Sequence, residues 1–75
     1  MKKELIEQME EILELETGML KEEDNFRDFD NWDSMANLSV IAMLDDAFGV
    51  NIETERFREL KTVADLIQEV KSRMV

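Results

Sequence analysis

The sequence has no cysteine, no histidine and no proline among its 75 residues. Without cysteine, the chain cannot form a disulfide framework or a thiolate metal site, and its composition gives no sign of an oxidising compartment. Without histidine, it cannot form a Ser–His or Cys–His nucleophile pair. Carboxylates, lysines, arginines and serines are what remains for chemistry, so we expect no catalytic group, no metal site and no enzymatic activity.

Basic residues are also scarce, with nine Lys and Arg against 19 Asp and Glu and a formal net charge of −10. Nucleic acids and anionic membranes need a basic surface, so neither is an expected partner. No apolar run approaches the ~20 residues that span a bilayer. The first residues, Met1-Lys2-Lys3-Glu4, lead into a charged helix rather than an apolar signal core. We therefore expect a cytoplasmic monomer that binds proteins with basic surfaces.

The residues that are present suffice for one small helical domain. Hydrophobic residues make up 44% of the chain, and they recur at helical spacing without the alternation typical of strands. A chain of this length has room for one modest core. The sequence therefore predicts a single small domain over residues 1–75. Its fold is expected to be all-α, a four-helix bundle of three main helices and one short helix with a long first loop.

The first helix is predicted over residues 2–16, with Gly18 as the left-handed residue that ends it. Its glutamates are expected on solvated faces. The connection over residues 17–33 has no helical period but much apolar surface, so we expect it to pack against the bundle. Trp32, near its end, is interpreted as a loop anchor, with contact to a partner as the alternative. The apolar residues of this loop are Met19, Leu20, Phe26, Phe29 and Trp32.

The second helix is predicted over residues 34–48, with Asp33 or Ser34 as its N-cap and Gly49 at its C-terminal end. At ~100° per residue, the side expected to face the core comprises Leu38, Val40, Ile41, Leu44, Ala47 and Phe48. The opposite side has few charges, and we interpret it as a docking surface for a partner protein, although scattered apolar surface residues are common. Its residues are Met35, Ser39, Ala42, Met43 and Asp46, with Asp45 at the edge.

The remainder of the chain predicts two further helices. A short one is expected over residues 53–58, with Phe57 and Leu60 turned inward. Thr62 and Asp65 have the spacing of a capping box at the start of the last helix. The other core residues expected in this region are Val50, Ile52, Val63, Leu66, Ile67, Val70 and Met74.

Ser34 is the residue of greatest functional interest. Its hydroxyl is expected at the positive end of the second helix, a position that suits attachment of an anionic group. The chain offers no base to activate this hydroxyl, so a second protein would have to catalyse the attachment. The alternative is that Ser34 serves only as a helix cap.

Three blocks of the sequence resemble the acyl carrier protein family. Residues 29–35 (Phe-Asp-Asn-Trp-Asp-Ser-Met) are similar to the family's Asp-Ser-Leu signature and the apolar residue before it. Residues 44–50 (Leu-Asp-Asp-Ala-Phe-Gly-Val) resemble its Leu-Glu-Glu-x-Phe-Gly-Ile run, and Ile52 fits the next apolar position. Residues 61–66 (Lys-Thr-Val-Ala-Asp-Leu) resemble the start of its last helix. The order and spacing of the blocks make the resemblance specific, and it covers more than half of the chain.

The resemblance implies that a phosphopantetheinyl transferase esterifies Ser34, beside the signature residue Asp33, with 4′-phosphopantetheine from coenzyme A. The thiol of this group would carry acyl groups as thioesters between enzymes of a fatty-acid-like or specialised acyl-transfer pathway. Those enzymes would present basic docking surfaces. The alternatives are an aminoacyl or peptidyl carrier, and an unmodified acidic module that docks through the outer side of the second helix.

The chain departs from the family pattern at several positions near this site. Ala36 and Ser39 occupy positions that are usually acidic, Met35 replaces the usual Leu, Trp32 is larger than the common residue, and Glu53 replaces a Pro. The enzymes of bulk fatty-acid synthesis would therefore meet a less acidic helix, and a specialised acyl-transfer pathway is at least as well supported.

Overall fold

In the computed structural model, which describes residues 1–74, the chain forms four α-helices and one turn of 3₁₀ helix in a long first loop. The described residues form no strand, only an isolated bridge between Asn25 and Thr62. No helix among them is both long and apolar enough to cross a membrane. The predicted all-α bundle is confirmed. Its elements are α1 (Lys2–Ile12), the 3₁₀ turn (Phe26–Asp28), α2 (Ser34–Phe48), α3 (Thr54–Glu59) and α4 (Val63–Arg73).

The core is a single cluster with side chains from every helix and from the first loop. Met74, predicted in the apolar stripe of α4, is 47% exposed because α4 ends at Arg73 and Met74 is only its C-cap. The other core residues predicted for the last part of the chain are buried as expected. The buried apolar side chains include Leu5, Met9, Leu13, Leu20, Phe26, Val40, Leu44, Val50, Ile52, Phe57, Leu60, Val63, Leu66, Ile67 and Val70.

Helix α1 is shorter than predicted, because it ends at Ile12. A Schellman motif closes it: the Leu15 N–H donates to the Glu10 carbonyl at 2.8 Å, and the Glu14 N–H donates to the Glu11 carbonyl at 3.2 Å. Glu14 has a φ of 58° and takes the left-handed position that glycine usually holds. The prediction that Gly18 ends this helix is therefore wrong; Gly18, with a φ of 91°, lies in the loop beyond.

Glu10 determines the path of the chain after α1. Only 3% of this residue is exposed, and its carboxylate accepts the N–H groups of Gly18 at 2.9 Å and Leu20 at 3.1 Å. The expectation that the glutamates of α1 are all solvated is wrong here. Two charge-assisted hydrogen bonds offset the cost of burying the carboxylate. They hold the beginning of the loop against the helix.

Helix α2 has its predicted bounds, and four of the residues expected to face the core pack there as predicted: Val40, Ile41, Leu44 and Phe48. Leu38 is 61% exposed, and Ala47 is exposed as well, so the expectation that these two side chains face the core is wrong. Apolar residues occur around most of the circumference of α2, and spacing alone does not single out one face. The fully buried residues of this helix are Ala36, Val40 and Leu44.

Ion pairs join α4 to α3 and to the segment before α3. Arg56 contacts Glu69 at 2.8 Å and Glu59 at 3.0 Å, and Arg73 contacts Glu69 at 2.8 Å and Glu53 at 3.1 Å. Hydrogen bonds from Arg56 and then Arg73 hold the pKa of Glu69 below its ordinary value. The short α3, which is too short to be stable alone, is thereby fixed on α4.

Candidate functional site

Ser34 is the first residue of α2, and its side chain is exposed. The preceding residue, Asp33, has extended backbone angles, and its carboxylate accepts the Ala36 N–H at 2.8 Å. Asp33 is thus the N-cap, which decides between the two candidates that the sequence left open. Because Asp33 provides the cap, the Ser34 hydroxyl is not required for it. That hydroxyl lies at the surface beside the positive end of the helix dipole.

The first loop is attached to the helices at both of its ends. Near Ser34, Asn31 donates from Nδ2 to the Leu13 carbonyl at 2.7 Å, one of the carbonyls that the end of α1 leaves without a helical partner. Earlier in the loop, the carbonyls of Glu22 and Asp24 accept the N–H groups of Ala64 and Val63 in the first turn of α4, at 2.9 and 3.0 Å. The loop is therefore packed against the bundle, as predicted.

An aromatic cluster fixes the chain just before the site. The Trp32 ring packs edge-on against Phe26, with 5.0 Å between centroids, and lies 6.2 Å from Phe57 of α3. The Arg27 guanidinium lies 5.0 to 5.7 Å from the three ring centroids, within the range of cation–π attraction. Trp32 is thus a loop anchor, and it holds the backbone two residues before Ser34.

Arg27 also closes the C-terminal end of α3. Its Nε donates to the Leu60 carbonyl at 2.9 Å, and its Nη2 donates to the Phe57 carbonyl. The negative end of a helix dipole favours a cation at this position. Burial lowers the pKa of Arg27, yet an arginine stays charged at neutral pH. Nothing in the sequence pattern links residue 27 to the end of α3, so this contact was not predicted.

The comparison with known proteins agrees with this geometry. Residues 3–70 match the family model described as "Phosphopantetheine attachment site". The acyl carrier proteins of Myxococcus xanthus and Micrococcus luteus are each 33% identical to the chain over 70 residues. The matched region covers 88% of this chain in both comparisons, 89% of the Myxococcus xanthus protein and 86% of the Micrococcus luteus protein. The chain belongs to the acyl carrier protein family. Its cofactor is 4′-phosphopantetheine, held covalently, and the predicted resemblance is confirmed.

The residues at the start of α2 fit a phosphate ester. Ser34 offers an exposed hydroxyl, and the first N–H groups of a helix together with its dipole favour a negatively charged group. Carriers of this family work with the transferase that loads them and with acyl-handling enzymes.

The exposed side of α2 next to Ser34 is more apolar than predicted. Met35 is 70% exposed and Leu38 is 61% exposed, and together with the exposed Ala42 they form a stripe at i, i+3 and i+7. We call this stripe the outer face. Met43, predicted to be exposed, is instead half-buried and packs against the core. The other predicted docking residues, all exposed, are Ser39, Asp45 and Asp46.

Proposed function

We propose that Ser34 is the residue esterified with 4′-phosphopantetheine, and that the chain is a carrier of acyl thioesters rather than an enzyme. The observation that supports this assignment is the position of Ser34, exposed as the first residue of α2 while Asp33 caps the helix. In the transfer, a base of the transferase would take the proton of Ser34 Oγ. This oxygen would form the new bond to the phosphorus nearest pantetheine as the pyrophosphate bond of coenzyme A breaks and adenosine 3′,5′-bisphosphate leaves.

The chain's own residues hold the group and leave the catalysis to the transferase. Asp33 keeps the first turn of α2 in place, and the N-terminal end of the helix stabilises the negative charge of the phosphodiester. The chain has no histidine to activate Ser34 and no cysteine. The cofactor thiol would therefore be the single thiol on the protein, and acyl loading would have no competing site.

Partner enzymes would dock on the outer face through an apolar pocket with a basic rim. Met35 and Leu38 are large, exposed and close to Ser34 along the helix, and an exposed apolar patch is typical of a protein interaction site. Asp45 and Asp46 lie at the far end of α2. Charges at the rim of an interface act mainly on the rate of encounter, so these aspartates would steer a basic partner toward the apolar stripe.

The charge distribution along the chain supports the same kind of partner. No Lys or Arg occurs between Arg27 and Arg56, a stretch that includes Ser34 and all of α2. Such a region has a negative potential that attracts basic surfaces over distances of about 10 Å. A specialised acyl-transfer pathway in the cytoplasm fits the uncharged Ser39 on the exposed side of α2, and we propose an acyl rather than an aminoacyl cargo.

The test is the mass of the intact protein after incubation with coenzyme A and a broad-specificity phosphopantetheinyl transferase. We expect the wild type to gain the mass of one phosphopantetheine and Ser34→Ala to gain none. Ser72→Ala is the matched control, because Ser72 is also exposed but lies inside α4 and outside the proposed docking residues; it should be modified normally. If the wild type gains no mass while another carrier does, the unmodified interaction module replaces this proposal.

A further inference from the structure

The interior next to Ser34 is filled by three aromatic side chains. Trp32, two residues before Ser34, packs edge-on against Phe26 and lies near Phe57 of α3, with 5.0 and 6.2 Å between ring centroids. The rings of Phe26 and Phe57 are 5.9 Å apart, so all three are within the range of aromatic contacts. Phe26 and Phe57 are fully buried. The aromatic cluster of Phe26, Trp32 and Phe57 therefore occupies the space between the end of the first loop and α3.

A charged group is packed against the aromatic cluster. The Arg27 guanidinium lies 5.0 to 5.7 Å from the three ring centroids, and it donates to the carbonyls of Leu60, at 2.9 Å, and Phe57. An alkyl chain that entered between the rings would have to move this guanidinium and leave both carbonyls without their donor. Phe57 and Leu60 are buried, and a buried acceptor without a donor is costly. The cluster is therefore poorly suited to admit an apolar guest.

The inner side of α2 is closed as well. Ala36 and Val40, in the first two turns of the helix, are 5% and 0% exposed. On the outer face, Met35 and Leu38 are apolar and exposed, but a chain lying on this single stripe would stay in contact with water along much of its surface. It would also cover the surface proposed for docking.

The cavities along α1 and α2 have acidic linings. The one of about 270 Å³ at the start of α2 is lined by Glu14, Asp30 and Asp33, among others. The one of about 610 Å³ farther along α2 is lined by Glu11 and Asp46, among others. A hydrocarbon chain in either cavity would displace water from carboxylates, which then lose the hydrogen bonds that stabilise their charge. Neither cavity is a favourable place for a long alkyl chain.

We propose that the cargo of this carrier is a short or polar acyl group rather than a long alkyl chain; this inference rests on the attachment to Ser34 proposed above. Every apolar carbon of a cargo gains free energy when it leaves water. A long chain therefore needs a shelter in its carrier, and the filled interior beside Ser34 provides none. A short or polar group loses little by remaining in solvent at the end of the arm.

The competing possibility is a long chain that forces the aromatic cluster apart. A chain that is buried in the folded protein and released in the unfolded protein must stabilise the fold, as does any group that interacts with the folded state alone. An exposed chain has no such effect. The dependence of stability on chain length therefore reports whether the cargo is sheltered.

The test compares butyryl and dodecanoyl cargo on the same protein. A broad-specificity phosphopantetheinyl transferase is supplied with butyryl-coenzyme A or dodecanoyl-coenzyme A in place of coenzyme A. Ser34 Oγ takes the acyl-phosphopantetheine with its thioester intact, and adenosine 3′,5′-bisphosphate leaves. Intact mass measures loading before each urea titration and survival of the thioester after it. Circular dichroism follows the unfolding.

We expect the dodecanoyl chain to raise the urea midpoint by less than about 0.5 M over the butyryl form, since the midpoint follows the free energy of unfolding. A larger rise would overturn the inference, because it would show that the folded protein shelters the chain. A protein that gains no mass from coenzyme A itself would instead contradict the proposed attachment to Ser34.

Trp32→Ala should create the shelter that the wild type lacks. Removal of the half-buried indole leaves space in the aromatic cluster next to Ser34. The dodecanoyl chain should therefore raise the midpoint of this variant by more than about 0.5 M over its own butyryl form. Trp32→Leu leaves a smaller space and replaces Trp32→Ala if the latter does not fold.

Phe48→Ala is the matched control for the new space. Phe48 also packs against the core, but it lies ~21 Å from Ser34 along the axis of α2. Its dodecanoyl and butyryl forms should unfold at the same urea concentration. A chain-length effect in both Trp32→Ala and Phe48→Ala, or in neither, would show that the aromatic cluster is not what excludes a long chain, and the inference would fall.

Discussion

Asp33 is the residue that leaves the Ser34 hydroxyl available, since it provides the cap of α2. Asp33→Ala should lower the free energy of unfolding by about 1 kcal/mol, a typical loss for an N-cap, because the Ala36 N–H loses its acceptor. Urea unfolding measures this change. Asp33→Asn should restore most of the stability, and Asp30→Ala, which removes the same charge from the exposed loop, is the control. Equal losses in Asp33→Ala and Asp30→Ala would show that the cap contributes nothing.

Glu14 is a single residue in an unfavourable backbone conformation, with a φ of 58°. A left-handed conformation costs a non-glycine residue roughly 1–2 kcal/mol, which exceeds the roughly 0.5–1 kcal/mol entropic cost of glycine. Glu14→Gly should therefore raise the free energy of unfolding by about 0.5–1 kcal/mol in a urea titration. Glu11→Gly, inside α1, should lower it by about 1 kcal/mol. A loss in both variants would contradict the proposed closure of α1.

The end of α2 and the start of α4 were predicted from local signals, whereas contacts between residues far apart in the sequence were not. Thr62 and Asp65 form the expected capping box, and Gly49 ends α2 with a φ of 65°, because these signals act within a few residues. Glu10 gives no such signal, since its partners lie 8 and 10 residues away and a glutamate on a helix is usually solvated. Without the contacts of Glu10, the path of the loop after α1 could not be predicted.

At the scale of the helix, the faces of α2 decide which substitutions affect stability and which affect transfer. Leu44 is fully buried and Leu38 is 61% exposed. Leu44→Ala should cost about 2–5 kcal/mol of stability, whereas Leu38→Ala should change it by less than about 0.5 kcal/mol and slow acyl transfer to a partner enzyme. Thermal unfolding and transfer rates measure the two effects. If Leu38→Ala destabilises as much as Leu44→Ala, the outer face is wrongly placed.

The sequence predicted the length of α2 but only part of its buried face. Val40 and Leu44 were expected to be buried and are, but Leu38 and Ala47 were placed on the same side and are exposed. An apolar helix gives several nearly equivalent faces, and only packing against α1 and the loop selects one. In α4, by contrast, polar residues flank a narrow stripe, and the face it buries was predicted apart from Met74 at its end.

The contact between α3 and α4 should respond to pH through Glu69. Because Arg56 and Arg73 hold its folded-state pKa below the unfolded value, the ionised Glu69 stabilises the fold above that unfolded value, about pH 4.3. This contribution is lost as the pH falls through the folded-state pKa. The stability difference between wild type and Glu69→Gln should therefore shrink on acidification below about pH 4.3.

Urea titrations across this pH range measure the Glu69 effect. In a background with Arg56→Gln and Arg73→Gln, the partners that lower the pKa of Glu69 are absent. The substitution Glu69→Gln should then no longer change the pH dependence of the free energy of unfolding. This is the result that a double-mutant comparison gives when the effect comes from the interaction between these residues. A pH-dependent difference that persists in this background would assign the effect to another contact.

At the scale of the whole molecule, positive charge is concentrated away from the site. Arg56 and Arg73 pair with glutamates of α3, α4 and the segment before α3, while α2 has two aspartates and no basic residue. The side of the protein that holds its own ion pairs is therefore not the side proposed for docking. The unpaired negative charge near α2 favours encounter with a basic partner, and its cost is self-repulsion in the folded state.

That self-repulsion should make stability depend on salt. With a net charge of −10, the thermal midpoint should rise between roughly 0.01 and 0.15 M NaCl, over which the Debye length falls from about 30 to about 8 Å. Screening also weakens the exposed ion pairs, but each of these contributes only about 0–1 kcal/mol, so the repulsion should dominate. Glu4→Gln with Glu7→Gln, which takes the charge from −10 to −8, should raise the low-salt midpoint and reduce its salt dependence. Circular dichroism melts measure both; a midpoint that does not move with salt would mean that the charges are already compensated.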